Sequence, residues 1–265
     1  MKIGVFDSGL GGLWVLKNIR EMLPLYDYVF FADQAYVPYG NKTKEELFDR
    51  ATKIFKHLYE IENCKIIVIA CNTNSTSIFE ELKLWVKENY PDRLNVGIVL
   101  PTILNIKSLI ENNNIKDVVF FGTHRTVNSH VYKTELENLD SINVSEIEMS
   151  LLASLIEEGK PTLEYIKSFS ELDKNKEYIG ALVCTHYGIV REDFKKVFPS
   201  VKHWVYQEDI LPNYLKSYWN ENSNLTEVLS KDNSMKVIVS KESPVFNDFL
   251  YKWFGDDFEF SICVL

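Results

Sequence analysis

The residues with the clearest chemical potential in this sequence are Cys71 and Cys184, each of which directly follows a run of apolar residues. Continuous apolar runs of this length are typical of buried parallel strands. Both thiols should therefore lie at the carboxyl ends of strands, where open α/β sheets bind their ligands. Two thiols that approach one carbon atom from opposite sides could remove a proton from one face and deliver a proton to the other.

Small hydrogen-bonding residues follow each cysteine, at positions where a helix should begin: Asn72 and Thr73 in the first case, Thr185 and His186 in the second. The free amides and positive field of a helix N-terminus lower the pKa of a thiol. His186 is predicted to be the partner that helps to activate the second thiol. The alternative is that both cysteines are small core residues.

The other two cysteines, Cys64 and Cys263, lack such surroundings, and we interpret them as structural residues. No Cys-x-x-Cys occurs, which argues against a zinc ribbon or a thioredoxin-like redox site. Cys184 and His186 could be two metal ligands, but no other histidine shows ligand spacing, so no metal is expected.

The loops assigned to the cleft contain no lysine or arginine: 7–12, 33–41, 71–76 and 184–188. An anionic ligand would therefore be held by backbone amides and by neutral side chains such as Ser8 and Thr185. Asp7 or Asp33 could meet an ammonium group. This combination suits an amino acid, although the same residues could serve only as helix caps and turns.

The segment Asp7–Gly12 follows a predicted strand and opens a helix, and Asp33 ends the next strand, as in the dinucleotide-binding fingerprint. A nicotinamide-dependent oxidoreductase is therefore an alternative. It is the weaker one because the third glycine is missing and the charge of Asp7 would face the pyrophosphate.

Composition excludes several classes of protein. The chain has 265 residues, a net charge of −9 and a pI near 5.2, which argues against nucleic acid or an anionic membrane as the main partner. No apolar run approaches the length of a transmembrane helix. Because a strand is predicted at Lys2–Phe6, no secretory signal is expected and a cytoplasmic location with reduced cysteines is predicted.

Strands alternate with helices along the chain, which predicts an α/β fold with mainly parallel sheets. Nine strands are predicted, at 2–6, 28–32, 65–70, 94–100, 116–121, 143–149, 178–183, 236–239 and 258–264. A capping box is predicted at Thr43 and Glu46, one helix is predicted from Cys71 to about Asn89, and 221–234 is predicted to be a mobile surface loop. The expected domains are 1–95 plus 207–265, and 96–206.

Several of these segments together resemble the glutamate racemase family, within the aspartate/glutamate racemase superfamily. The more specific matches are residues 3–13 (IGVFDSGLGGL), 33–40 (DQAYVPYG), 70–73 (ACNT) and 184–187 (CTHY). Weaker matches follow in the same order at 122–126 and 155–159.

The resemblance implies two similar α/β domains related by a pseudo-twofold axis, a substrate cleft between them, no cofactor and a homodimer. The implied activity is the interconversion of L- and D-glutamate, which supplies D-glutamate for peptidoglycan. By similarity Cys71 and Cys184 are the two bases, Asp7 assists the first, and His186 with Glu157 assists the second. The implied substrate-binding residues are Asp7, Ser8, Asp33, Tyr39, Gly40, Asn72, Thr73, Thr123, Thr126, Thr185 and His186.

Four positions depart from the family pattern: Leu100 before Pro101, Met149-Ser150, His124-Arg125 and Gly188. None of them removes a proposed catalytic group. Two alternatives stay open, namely an aspartate or hydantoin racemase with the same thiol pair, and a protein that binds an acidic amino acid without turnover.

Overall fold

The structure is a computed structural model that describes every residue of the chain except Asn138 and Asp140. Its strands are β1 (Lys2–Asp7), β2 (Tyr28–Ala32), β3 (Cys64–Ile69), β4 (Leu94–Gly97), β5 (Asp117–Gly122), β6 (Asn143–Glu148), β7 (Tyr178–Val183), β8 (Val201–Tyr206), β9 (Met235–Val239) and β10 (Glu259–Ile262). They form one six-stranded sheet, in the order β10-β9-β2-β1-β3-β4, and one four-stranded sheet, in the order β6-β5-β7-β8. Every strand pair is parallel, which confirms the predicted fold class.

Thirteen α-helices connect and cover these strands in the part of the chain that is described. They are α1 (Leu10–Met22), α2 (Lys44–Lys56), α3 (Asn72–Ser77), α4 (Phe79–Asn89), α5 (Val99–Asn113), α6 (His124–Asn128), α7 (Val131–Glu137), α8 (Leu152–Glu157), α9 (Leu163–Lys167), α10 (Arg191–Val197), α11 (Gln207–Glu221), α12 (Ser223–Val228) and α13 (Pro244–Phe254). A π-helical turn lies at His57–Ile61, directly after α2, and 3₁₀ turns lie at Tyr39–Asn41 and Tyr187–Val190. The capping box is confirmed, since the Thr43 hydroxyl accepts from the Glu46 amide at 3.2 Å and the Glu46 carboxylate accepts from the Thr43 amide at 2.7 Å.

Each sheet is covered on both faces, as parallel sheets generally are. Ile3 and Val5 of β1 pack with α1, α11 and α13 in one core, whereas Phe6 packs with α2 and α4 in the core on the opposite face. The four-stranded sheet likewise has one core on each face. We call the six-stranded sheet with its helices the first half and the four-stranded sheet with its helices the second half.

Three predicted elements need correction. The strand β8 was not predicted; it is an edge strand with an exposed Lys202 rather than a continuous apolar run. The helix predicted after Cys71 is two helices, broken at Ile78. The segment 221–234 contains α12, because Leu225 is buried in the core of the first half.

The tail was predicted to return to the first half, and β9 pairs with β2 in that sheet. The domain boundaries near residues 95 and 206 stay predictions. No described helix is long and apolar enough to cross a membrane.

Candidate active site

A cavity of about 650 Å³ lies between the two halves, at the carboxyl ends of strands from both sheets. This is where an open α/β sheet positions its ligands. All the predicted site residues except Asp33 line it: Asp7, Ser8, Tyr39, Gly40, Cys71, Asn72, Thr73, Thr123, Thr126, Glu157, Cys184, Thr185 and His186. The two cysteines thus share one cavity, although more than one hundred residues of chain separate them.

The first thiol, Cys71, lies just beyond β3 and caps the short helix α3. It is 5% exposed. Burial raises the pKa of Cys71 well above its ordinary value and the charge of Asp7 raises it further, whereas hydrogen bonds from the amides of Asn74 and Thr73 oppose the shift. This environment favours a neutral thiol that nearby donors can help to ionise.

The second thiol, Cys184, belongs to a chain of interacting side chains. Its Sγ atom lies 3.8 Å from Nδ1 of His186, whose Nε2 lies 2.6 Å from Oε1 of Glu157. Burial lowers the pKa of His186, but the interactions with Cys184 and Glu157 outweigh burial and raise it well above its ordinary value. A histidine that stays protonated beside a sulfur atom stabilises the thiolate.

Glu157 is held at the N-terminus of α1. Its Oε1 atom accepts from the backbone amide of Leu10 at 2.6 Å, and Oε2 accepts from Nε2 of Gln34 at 3.3 Å. Burial raises the pKa of Glu157, yet the hydrogen bond from His186 and its charge leave this pKa below its ordinary value. Glu157 therefore carries a negative charge that orients the imidazole ring and favours its protonated form.

Asp7 lies at the end of β1 and is fully buried. Its Oδ1 accepts from the amide and hydroxyl of Ser8 at 2.5 and 3.2 Å, and its Oδ2 accepts from the hydroxyl of Thr185 at 3.0 Å. Burial raises the pKa of Asp7, and the charge of His186 and these hydrogen bonds offset the shift only in part. A carboxyl group of raised pKa can accept and return a proton near neutral pH.

Asp33 does not line the cavity, contrary to the expectation that it meets a substrate ammonium group. Its carboxylate accepts from Nε and Nη2 of Arg50 at 2.8 and 2.6 Å and from the hydroxyl of Tyr39 at 2.7 Å. Because a buried carboxylate needs compensating partners, these contacts occupy it. Asp33 supports Tyr39, which does line the cavity.

Threonine hydroxyls from both halves meet across the cavity. The Thr73 hydroxyl lies 3.4 Å from that of Thr123, which lies 3.2 Å from that of Thr126. Each hydroxyl can donate or accept. The group offers neutral donors for an anionic ligand, as the lack of lysine and arginine in the four loops predicts.

Asn72 takes part in a buried network that was not predicted from the sequence. Its Nδ2 donates to Oε1 of Gln207 at 2.6 Å, and Nε2 of Gln207 lies 2.9 Å from Oδ1 of Asn72, 3.0 Å from the Thr102 hydroxyl and 3.1 Å from the Tyr132 hydroxyl. Tyr132 also donates to Oδ1 of Asn72. The network fixes the loop of the first cysteine against the second half, and Gln207 has no local sequence motif that would reveal this role.

Two glycines permit close approach of the elements around the second cysteine. A Cβ atom on Gly11 would lie 2.2 Å from the Thr185 hydroxyl and 2.6 Å from the amide of His186. A Cβ atom on Gly188 would lie 2.4 Å from Oε1 of Glu208. The carboxyl group of Glu208 thus occupies the space that a larger residue at position 188 would need, which accounts for one departure from the family pattern.

Two further departures lie together on the cavity wall. Glu148 accepts from the Ser150 hydroxyl at 2.7 Å and lies 2.8 Å from Nδ1 of His124. The amide of His124 in turn donates to the Ser150 hydroxyl at 3.1 Å. Met149 is buried, and its carbonyl accepts from the Tyr187 hydroxyl at 2.7 Å. These substitutions form their own contacts and leave the cysteines in place.

Lys241, which follows β9, lines the cavity although the four predicted loops contain no cation. Among the described residues no cluster of three histidine, cysteine or acidic side chains could hold a metal ion. The chemistry that this arrangement supports is proton transfer at a small polar ligand held between two buried thiols, each with its own ionisable partner.

Comparisons with known proteins identify several glutamate racemases. The chain is 36% identical over 202 residues to glutamate racemase from Fusobacterium nucleatum subsp. nucleatum, covering 74% of this chain and 73% of that protein. It is 30% identical over 267 residues to glutamate racemase from Sulfurihydrogenibium sp., covering 97% and 95%. Glutamate racemase from Francisella tularensis subsp. tularensis, solved in complex with D-glutamate, superposes with a TM-score of 0.81 at 27% identity, covering 100% of this chain and 97% of that one. No protein-family model matches the chain.

Proposed function

The chain belongs to the glutamate racemase family, and on that premise we propose that it interconverts L- and D-glutamate by a two-base mechanism without a cofactor. The observation that carries this proposal is the pair of buried thiols, Cys71 and Cys184, at the ends of β3 and β7 in one cavity. Each thiol has a separate ionisable partner, so either one can act as the base while the other acts as the acid.

In one direction Cys184 removes the α-proton. Its sulfur is paired with protonated His186, which is held in place by Glu157. Cys71, kept neutral by burial and by the charge of Asp7, then delivers its proton to the opposite face of the carbanion. The products are the other enantiomer and a Cys71 thiolate.

In the reverse direction Cys71 must start as the thiolate. The raised pKa of Asp7 suits this carboxyl group to take the proton from the Cys71 thiol, and the amides of Thr73 and Asn74 stabilise the sulfur anion. Cys184 then acts as the acid, with His186 as its proton partner. The two sides of the site therefore perform the same task with different auxiliary groups.

The carbanion is the difficult species, because no ring system delocalises its charge. Placed donors in a cavity with few water molecules are worth more than the same donors in bulk water. Ser8 and Thr185 lie on either side of Asp7, and Thr73, Thr123 and Thr126 form the opposite group of hydroxyls. These groups are suited to hold the substrate carboxylates.

Glutamate is proposed as the substrate because the relatives above are glutamate racemases, one of them solved with D-glutamate. The supply of D-glutamate for peptidoglycan, a cytoplasmic location and a homodimeric state are proposals that rest on the family alone. The residues that line the cavity bear on none of these three proposals.

The test is NMR of L-glutamate, and separately of D-glutamate, incubated in D₂O with the purified protein and no added cofactor. Deuterium at the α-carbon and approach to the racemate from either enantiomer would support proton-transfer racemisation. The variants Cys71→Ala and Cys184→Ala should each lose racemisation with the fold intact, and Cys64→Ala is the matched control. Full activity in either active-site variant would refute the two-base mechanism.

The same experiment addresses the alternatives. Exchange from aspartate or a hydantoin, but not from glutamate, would leave the mechanism in place and change the substrate. Binding of glutamate without exchange, in protein whose thiols are reduced, would identify an amino-acid binding protein instead.

A further inference from the structure

Lys241 is the only lysine or arginine among the residues that line the cavity in the described part of the chain. It is exposed, and it follows β9, which ends at Val239. Within the described residues its ammonium group makes no hydrogen bond or ion pair with the protein, whereas eleven of the other 23 lysines have a carboxylate partner there. Lys241 is therefore available to a ligand.

The backbone on both sides of Lys241 is anchored. The amide of Ser240 donates to the carbonyl of Ala32 at 3.0 Å, and its hydroxyl accepts from the amide of Ala35 at 2.8 Å. On the other side, Ser243 caps α13 by accepting from the amide of Phe246 at 3.4 Å. These contacts hold the Cα of Lys241 at a fixed point of the rim, while its long side chain is exposed.

The sheet order sets how far Lys241 is from the reacting thiols. Lys241 follows β9 and Cys71 follows β3, and β2 and β1 lie between these strands. Three strand spacings amount to roughly 14 Å. Lys241 is thus too distant from Cys71 to act on the reacting carbon, but it can meet the far end of a substrate or a substrate that is entering.

The other charges at the cavity are mostly negative. Asp7, Glu157, Glu158 and Glu242 line it together with Lys241, and the whole chain carries a net charge of −9. Glu158 already has a partner in Lys160. A dicarboxylic amino acid that approaches this opening meets several carboxylates, and Lys241 is the one lysine or arginine among the described lining residues whose charge can offset theirs.

We propose that Lys241 is a specificity-determining residue that attracts the second carboxylate of a dicarboxylic amino acid at the cavity entrance. The inference rests on the proposed function, because it assumes an acidic amino acid as substrate. Lys241 strengthens binding and speeds capture through its charge, and it takes no part in proton transfer. A rim charge of this kind acts on the association rate and on the salt dependence of binding.

The size of the effect follows from the exposure of the side chain. Exposed charge pairs contribute little in water, which corresponds to about a two- to fivefold change in affinity at low salt. Screening removes this contribution when the Debye length falls to about 3 Å, near 1 M salt. The charge effect is therefore separable from a packing effect, which salt would leave unchanged.

The experiment is a calorimetric titration of L-glutamate into the wild-type protein and three variants, at about 20 mM and about 1 M sodium chloride. Lys241→Gln removes the charge, and Lys241→Arg keeps it. Lys202→Gln is the matched control, because it removes an exposed lysine from the amino-terminal end of β8. The cavity lies at the carboxyl ends of the strands, so Lys202 is remote from it. D₂O exchange rates are measured on the same samples.

We expect Lys241→Gln to weaken glutamate binding about threefold at low salt and by less than about 1.5-fold at high salt. Its kcat should stay unchanged, and Lys241→Arg and Lys202→Gln should match the wild type. Equal weakening at both salt concentrations, no weakening, or the same loss in Lys202→Gln would overturn the inference. Binding without exchange would refute only the proposed racemisation, whereas no binding of glutamate to the wild type would overturn both.

Discussion

The substitution Glu157→Gln tests the electrostatic role of the carboxylate behind the second thiol. The glutamine amide has nearly the same shape, and its oxygen can still accept from the Leu10 amide and from His186, which now donate at 2.6 Å each. What is lost is the negative charge, together with the long hydrogen bond that Oε2 accepts from Nε2 of Gln34 at 3.3 Å. His186, whose pKa is raised by Cys184 and Glu157 against the effect of burial, then loses one of its two supports.

A hydrogen bond to a charged group is worth about 1.5 kcal/mol more than one to a neutral group, which corresponds to roughly one pKa unit. The pKa of His186 should fall by about that amount. Because the imidazolium form pairs with the Cys184 thiolate, activity should be lost at lower pH in the variant. We expect the alkaline limb of the kcat/KM profile to move down by about one pH unit and rates above it to fall about tenfold.

The assay is circular dichroism of glutamate enantiomers between about pH 6 and pH 10, run in both directions. The two enantiomers have equal free energies, so kcat/KM must fall by the same factor from L and from D, although only one thiol is affected. Glu164→Gln is the control, since Glu164 is exposed, is paired with Lys167 and does not line the cavity. An unchanged alkaline limb in Glu157→Gln would refute the electrostatic role of Glu157.

Three further substitutions test other parts of the site. Asp7→Asn should lower the exchange rate at least tenfold yet raise the melting temperature at about pH 8. Burial raises the pKa of Asp7, so the ionised form of Asp7 destabilises the folded state above that pKa. The gain in melting temperature should vanish as the pH falls below the ordinary carboxyl pKa. A lower melting temperature at about pH 8 would contradict this sign. Gly11→Ala should reduce kcat about a hundredfold without loss of helical content, because its methyl group would lie 2.2 Å from the Thr185 hydroxyl; a rate within twofold of wild type would contradict it. Gln207→Leu should lower the free energy of unfolding by about 3 kcal/mol in urea, since it leaves Asn72 and two buried hydroxyls without their shared partner; a change below about 1 kcal/mol would show that the network is dispensable.

Much of the fold could be predicted because parallel strands that are buried on both faces consist of continuous apolar runs in the sequence. β1, β2 and β7 are almost entirely buried, and each was predicted to within one residue. β8 escaped prediction because an edge strand need not be apolar throughout. The break at Ile78 escaped because it depends on competition between side chains and the backbone, seen where the Thr76 hydroxyl donates to the carbonyl of Asn72 at 3.0 Å.

The site could be predicted where chemistry is grouped in short motifs, and not where it depends on single residues brought in from a distance. The segments around Cys71 and Cys184 can be recognised from their residue types and from their positions after apolar runs. Gln207 and Lys241 are isolated polar residues in a part of the chain without a motif. Only the three-dimensional arrangement brings Gln207 to Asn72 and Lys241 to the cavity. The place of Asp33 outside the cavity lining escaped prediction for the converse reason, since its partner Arg50 lies on a helix that the local pattern does not connect with it.

The pairing of β2 with β9 has a consequence for the order in which a ribosome-bound chain can fold. Tyr28 lies opposite Met235, so the first sheet is complete only after almost the whole chain has been synthesised. The second sheet, by contrast, uses only residues 117–206 and can form as a continuous segment. Cys71 is therefore synthesised early, but its sheet stays incomplete until the C-terminal strands have been synthesised. The cavity is assembled last, and a chain released before residue 235 would expose the apolar edge of β2 and lack the part of the cavity wall formed by residues 241–244.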